Sequence, residues 1–301
     1  MNAVELRDVR KTYDTFVAVD NLSFDIPAGR IFGLLGPNGA GKTSTIRMML
    51  GITIPDSGQV TMFGEKFHRE LLHRVGYLPE ERGLYRKMKV GEHLVFLGEL
   101  GGLSAAEAGK RARAWAERME ISTWLDKKVE ELSKGMQQKI QFIATILHDP
   151  DFIVMDEPFS GLDPVNTALL KDVLLELKQK GKTVLFSTHR MDTVERLCDS
   201  ICLVNRGRVV LDGDLKQIKA RYGRNNIQVQ YEGDGAFLKD PALVKTANDY
   251  GNYVEVQLAP GADAQELLRR LTARARVSKF ELVEPSLEEI FIDVVGKDGT
   301  E

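Results

Sequence analysis

The chain has only two cysteines, Cys198 and Cys202, among 301 residues. A disulfide scaffold is therefore excluded, and there is no Cys-x-x-Cys pair for a metal or redox site. Long apolar runs are missing too: no stretch approaches the roughly 18 residues that a membrane-spanning helix requires. The opening residues carry no apolar signal-peptide core. Nor is there an excess of positive charge. Lys plus Arg is 41 and Asp plus Glu is 44, a net charge of −3. That balance argues against a nucleic-acid binder working through bulk positive charge, although a local basic patch stays open. Internal repeats and low-complexity tracts are absent. What remains is an ordinary globular mixture, 43% apolar and 28% charged. Its length exceeds what one core usually needs and leaves room for a main domain and a smaller one. Composition thus leads to the expectation of a folded cytoplasmic protein and is silent on chemistry.

The apolar pattern divides the chain. Val4, Leu6 and Val9, then Phe16, Val17, Val19, Leu22, Phe24 and Ile26, alternate as two strands, read as antiparallel and closed by Pro27-Ala28-Gly29. Residues 30–35 form a short buried strand, followed by a glycine-rich turn and a helix over 42–50. Residues 59–62 return as strand. Apolar residues three and four apart predict helices over 92–100, 105–119 and 134–147, with Ser104 and Glu107 as a capping box for the second. Strands over 152–155, 183–186 and 201–204 alternate with helices over 167–178 and 191–197. Such alternation predicts an α/β domain with a largely parallel sheet. After a helix over 215–220, a boundary is expected at residues 222–226. Shorter strands over 227–231, 253–258 and 277–283, with helices over 264–271 and 286–294, suit a small α+β domain.

The most specific feature is Gly36-Pro37-Asn38-Gly39-Ala40-Gly41-Lys42-Thr43, which satisfies Gly-x-x-x-x-Gly-Lys-Ser/Thr in full. It follows an apolar strand and opens a helix. Glycines let the backbone curl so that successive N–H groups face phosphate oxygens. The helix N-terminus, entered through Thr43 and Ser44, adds its dipole. Lys42 would reach the β- and γ-phosphates, and the Thr43 hydroxyl would hold Mg²⁺. A bare glycine-rich turn is the plain alternative, but the full motif in this context weighs against it. Further on, four apolar residues lead into Asp156-Glu157. A parallel strand delivers its C-terminal end to a ligand crevice. Asp156 would support Mg²⁺, directly or through water, and Glu157 would polarise the water that attacks the γ-phosphorus. Read alone, the pair could cap a helix; downstream of a phosphate loop the chemical role is favoured.

Several further segments, in order and spacing over about residues 3–220, resemble the ATP-binding subunit of an ABC transporter. The resemblance implies an ABC-type P-loop ATPase with a mixed sheet core, an antiparallel β subdomain and a helical subdomain near residues 88–148. The ATP-binding domain would cover 1–222 and the small α+β domain 226–301. In the family an aromatic residue at the place of Tyr13 stacks on adenine. Gly76-Tyr77-Leu78-Pro79-Glu80 falls where the family has its glutamine loop; here Glu80 stands in for glutamine, and a carboxylate can still ligate Mg²⁺. Leu132-Ser133-Lys134-Gly135-Met136 resembles the signature Leu-Ser-Gly-Gly-Gln, departing at Lys134 and Met136. Ser133 and Gly135 keep the hydroxyl and bare N–H suited to phosphate, while Lys134 either adds charge toward phosphate or faces solvent. In the family this segment completes the site of the opposite subunit. Asp163, in Ser160-Gly161-Leu162-Asp163-Pro164, resembles the dimer-contact loop and is also a good helix cap. His189 matches the switch histidine that contacts the γ-phosphate and holds Glu157 and the water in line. His68, His73, His93 and His148 have no ligand spacing and read as surface or packing residues; Cys198 and Cys202 read as small buried apolar residues.

The resemblance implies ATP and Mg²⁺ as cofactors. It implies a homodimer, or a pair with a closely related subunit, on the cytoplasmic face of the membrane. A separate permease would take up the motion of a two-state cycle, with no nucleic acid as partner. Residues 81–85 and the closing segment Glu284 to Phe291 resemble an export branch, with sodium-efflux-like and drug-export-like members. The helical segment between Glu80 and Ser133 would dock the permease. Met88, Val90, Leu94 and Phe96 are candidate contacts, although a helix packed on its own domain would look the same. The C-terminal domain is expected to support dimerisation or regulation. The competing readings are a soluble ABC-type ATPase without a membrane partner, and a nucleotide-binding module without turnover. A single cassette with no coiled coil argues against the first, and the presence of Lys42, Asp156, Glu157 and His189 against the second.

Overall fold

The computed structural model describes residues 1–81, 83–222 and 226–298. Arg82 and the centre of the expected boundary, residues 223–225, lie outside the described residues. The chain divides into two units, Met1–Asp214 and Leu215–Glu301, so the helix expected over 215–220 falls with the second.

In the first unit, β1 (Asn2–Tyr13) and β2 (Phe16–Pro27) form the antiparallel pair expected from their alternation, joined by a two-residue turn. A sheet of order β2-β1-β4-β5 includes β4 (Ser57–Met62) and β5 (Glu65–Lys66). The second sheet runs β10-β9-β3-β8-β7-β6. Its strands are β3 (Ile31–Leu35), β6 (Val75–Leu78), β7 (Phe152–Asp156), β8 (Thr183–Thr188), β9 (Ser200–Asn205) and β10 (Arg208–Asp214). All neighbours are parallel except β9 and β10. β3, β7 and β8 are buried at every position, which is why each reads as an unbroken apolar run rather than an alternation. Between the two sheets lies α1 (Lys42–Met49), whose Ile46, Met48 and Met49 pack with Phe24, Phe32 and Phe152 in one core.

The helical part contains α2 (Val90–Leu100), α3 (Ala105–Arg118) and α4 (Lys134–Ile146); α5 (Pro164–Gln179) and α6 (Met191–Leu197) follow β7 and β8. α3 buries a stripe of Ala108, Ala112 and Ala116, small residues that let α2 approach closely. The capping box forms by half. Ser104 Oγ accepts from Glu107 N at 3.3 Å, but the Glu107 carboxylate takes Arg111 Nε at 2.8 Å instead of turning back to the chain start. Two of the four candidate docking residues are corrected: Val90 and Leu94 are fully buried in this helical core, and only Met88 and Phe96 are part-exposed. Both cysteines are buried and free; burial pushes their thiols well up, in keeping with inert packing residues.

The second unit holds α7 (Leu215–Tyr222), β11 (Asn226–Gly233), β12 (Val244–Asp249), β13 (Val254–Leu258), α8 (Ala264–Thr272), β14 (Ala275–Val283) and α9 (Leu287–Asp298). Its sheet is antiparallel, in the order β12-β13-β11-β14. Ile227, Val229, Val254 and Val256 meet Leu267 and Leu271 of α8 in a separate core. β12 was not legible in the pattern because only Val244 of its six residues is buried.

Replacing Ser104 by Ala removes the acceptor for Glu107 N and is expected to cost about 1 kcal/mol of stability. Chemical denaturation followed by far-UV circular dichroism measures this, and ATPase activity is expected to stay unchanged.

Candidate functional site: a phosphate-binding cleft at the strand ends

Four consecutive strands of the main sheet, β3, β8, β7 and β6, run parallel and end on one side. Leu35 pairs with Thr188, and Asp156 with Ser187. The glycine-rich loop after β3, His189 after β8, Asp156-Glu157 at the end of β7 and Glu80 after β6 are thereby brought to one cleft. It has a volume of about 410 Å³, within the range of small-molecule sites. Asn38, Gly39, Ala40, Gly41, Lys42, Thr43 and Ser44 line it on one side, and Glu80, Asp156, Glu157 and His189 on another. Tyr13 lies at its margin, 42% exposed.

Gly36 and Pro37 do not line the cleft; they shape the loop beneath it. A Cβ on Gly36, whose φ is +149°, would stand 2.2 Å from the Val204 carbonyl oxygen, so the loop can pass β9 only with glycine there. Lys42 Nζ donates to the carbonyls of Gly36 at 2.7 Å and Pro37 at 3.1 Å. The lysine thus ties the loop's root to the start of α1. Gly41, in the left-handed region, caps α1 without any side-chain hydrogen bond. Among the described residues no capping side chain takes an N–H of that first turn, the arrangement an anion needs. Burial pushes the Lys42 ammonium below its usual range, opposed by the carboxylates of Glu157, Asp156 and Glu80.

The acids are held by neighbouring strand ends. Asp156 is 2% exposed; its Oδ2 accepts from Thr43 Oγ1 at 2.8 Å, and its Oδ1 accepts from Ser187 Oγ. Glu157 Oε2 accepts from Thr188 Oγ1 at 3.1 Å. Its Oε1 accepts from His189 N at 3.2 Å and lies 2.8 Å from His189 Nδ1. With the carboxylate ionised, that contact places the proton on Nδ1. Glu157 itself adopts φ +50°, a left-handed conformation that costs a non-glycine residue about 1–3 kcal/mol. Its backbone is fixed from both sides, with Glu157 N donating to Ser187 O at 3.1 Å and Ser160 N donating to Glu157 O at 3.1 Å.

Ser133, Gly135 and Asp163 are not brought to the cleft of their own chain. Ser133 caps α4, its Oγ accepting from Met136 N at 3.3 Å. Asp163 caps α5, its Oδ1 accepting from Asn166 N at 2.9 Å; those bonds hold its carboxyl below the usual carboxylate range. Ser133 and Asp163 are exposed. Three cleft residues escaped the sequence reading: Phe16, Ala18 and Ser160. Phe16 read as an ordinary member of an apolar strand, and only its place opposite Tyr13 gives it away.

A phosphate loop at the end of a parallel sheet, facing two acids and a histidine, defines a nucleotide-triphosphate hydrolase. Comparison with known proteins sharpens this. Residues 19–160 match the family model described as ABC transporter, and residues 213–295 match that of the ATP-binding protein DrrA1-3-like, C-terminal domain. The ABC transporter ATP-binding protein YhaQ of Bacillus subtilis is 46% identical over 288 residues, covering 96% of this chain and 97% of its own. The Nod factor export ATP-binding protein I of Burkholderia lata is 35% identical, over 98% of this chain and 97% of its own. A solved structure of the ATP binding subunit of an ABC transporter superposes with a TM-score of 0.68 at 32% identity, covering 73% of this chain and 93% of that one. The chain belongs to the ATP-binding subunits of ABC transporters, ATPases whose hydrolysis drives transport through a partner permease. No helix among the described residues is long and apolar enough to cross a membrane.

Gly36→Ala is expected to force the loop off β9 and to weaken ATP binding by at least tenfold, about 1.4 kcal/mol. Equilibrium binding measures it; undiminished affinity would show that the loop's path past Val204 is not what holds the phosphates.

Proposed function

We propose that this subunit hydrolyses ATP at a site built from two copies of the chain and passes the motion to an export permease. The observation that carries this reading is the placement of the motifs. The phosphate loop, both acids and His189 share one cleft, while the exposed Ser133 and Asp163 and the half-buried Gly135 do not line it and lie at the starts of α4 and α5. Residues of one site that cannot meet within a chain suit a site completed by a second subunit.

In this reading Tyr13 carries the adenine, and the backbone N–H groups of residues 38–44 and Lys42 receive the phosphates. Thr43 Oγ1 and Asp156 Oδ2 are 2.8 Å apart, and Glu80 lines the same cleft. Hydroxyl and carboxylate oxygens beside a phosphate loop are the donors Mg²⁺ takes, so Thr43, Asp156 and Glu80 would hold it. Bound there, Mg²⁺ would neutralise charge on the β- and γ-phosphates. Glu157 orients the attacking water and accepts its proton. Thr188 and His189 fix the carboxylate from both oxygens, so it need not reorganise during attack. Ser133 and Gly135 of the second copy offer a hydroxyl and an unhindered N–H to the γ-phosphate from the far side, with Asp163 at the contact.

Transmission would run through the part of the chain that follows Glu80. A groove of about 430 Å³ beside β6, α2 and α4 is lined by Leu84, Leu97 and the 64%-exposed Leu100. Gln141 faces it, and its Oε1 has no hydrogen-bond partner among the described residues. A groove of mixed lining, with leucines beside Arg69, His73 and His148, suits a short amphipathic permease helix, which would hold the subunit at the cytoplasmic membrane face. Export as the direction is supported by the C-terminal domain match and by the Nod factor export relatives.

Glu157→Gln tests the catalytic assignment. Hydrolysis is expected to fall at least about 100-fold while ATP still binds and a dimer accumulates. Undiminished turnover would contradict the role given to Glu157.

A further inference from the structure

The hairpin that carries Tyr13 carries a second ring. Phe16 lines the same cleft and is 61% exposed, more than Tyr13. Tyr13 and Phe16 are direct cross-strand partners, separated only by the turn Asp14-Thr15, with Asp14 at φ +50°. Opposed residues of an antiparallel pair point to the same face, with Cβ atoms about 4.5–5.5 Å apart. The pairing slips between Lys11–Val19 and Thr12–Val17, an irregularity around Ala18, which also lines the cleft. Bulges of this kind re-aim side chains beside functional sites. The hairpin end is anchored as well. The Asp56 carboxylate accepts from Thr12 N at 2.7 Å and from Lys11 Nζ at 2.7 Å.

Two aromatic residues paired across an anchored turn, both part-open to solvent and both lining a nucleotide cleft, are exposed apolar surface awaiting a cover, with Lys11 Nζ 5.7 Å from the Tyr13 ring centroid. Aromatic rings stack bases through their π-faces without reading base edges. We infer that Phe16 is a second base-binding residue, forming with Tyr13 a two-ring platform that favours purine over pyrimidine triphosphates. A purine is wide enough to span both side chains, whereas a one-ring pyrimidine reaches only one. Hydrogen-bonding edges are not used, so the platform prefers ATP and GTP together over CTP and UTP. This rests on the proposed adenine contact of Tyr13 and adds its partner and selectivity.

The test uses the full chain with Glu157→Gln, which binds without turnover, and measures affinity for ATP, UTP and inorganic tripolyphosphate by calorimetry. Phe16→Ala, at an exposed turn, is expected to weaken ATP about tenfold, to weaken UTP much less and to leave tripolyphosphate unchanged. Phe16→Tyr is expected to restore ATP affinity. If Tyr13→Ala weakens ATP but Phe16→Ala does not, the second platform residue is overturned while the adenine contact stands. If neither substitution matters, the base site at this hairpin is itself wrong and the inference fails with it. Equal loss for ATP and tripolyphosphate would mean that Phe16 shapes the loop rather than touching the base, and would also overturn it.

Discussion

The cleft depends on one buried carboxylate. Asp156 is almost without contact with water, a position that costs an anion several kcal/mol unless its lone pairs are met. They are met by two hydroxyls from different elements, Thr43 in the first turn of α1 and Ser187 near the end of β8. The same carboxylate therefore fixes the phosphate loop on one side and β8 on the other. The next residue, Glu157, then reaches the same strand end through Thr188 and His189. Losing the anchor at Asp156 would loosen the phosphate side and the water side together.

That coupling explains how a rigid sheet can serve a moving machine. β3, β7 and β8 are buried along their whole length, so their ends are fixed relative to one another. The parts assigned to closure are on the exposed starts of α4 and α5, where Ser133 and Asp163 cap helices without touching the cleft. In the proposed reading, chemistry is prepared within one chain and completed by a second. Nucleotide binding can then favour the closed pair over the open one, the differential interaction that any ligand-driven switch requires.

Much of this was legible in the residues. Buried parallel strands announce themselves as short apolar runs, and the full phosphate-loop pattern has few meanings, so β3, β7, β8 and the loop were read in place. Val75 to Leu78 is too short to declare itself; its strand character comes from pairing with β7. β10 and β12 are edge strands with little or no buried surface, so they leave no alternation to detect. Val90 and Leu94 looked like candidates for a partner because helical periodicity cannot say whether an apolar stripe faces a neighbour chain or its own core. Phe16 was hidden for the converse reason: an aromatic residue in a strand reads as core, and only the register opposite Tyr13 turns it toward the cleft. The half-formed capping box at Ser104 shows the same limit, since Arg111 competes for Glu107.

The central claim is that each site takes its signature from the other subunit. Two inactive chains, one carrying Glu157→Gln and the other Ser133→Arg, would be mixed in equal amounts and their ATPase rate measured. In a mixed dimer one site would keep both an intact Glu157 and an intact Ser133. The account expects activity to return in the mixture while each variant alone stays inactive. Full activity of Ser133→Arg by itself, or no recovery despite a demonstrated mixed dimer, would contradict it.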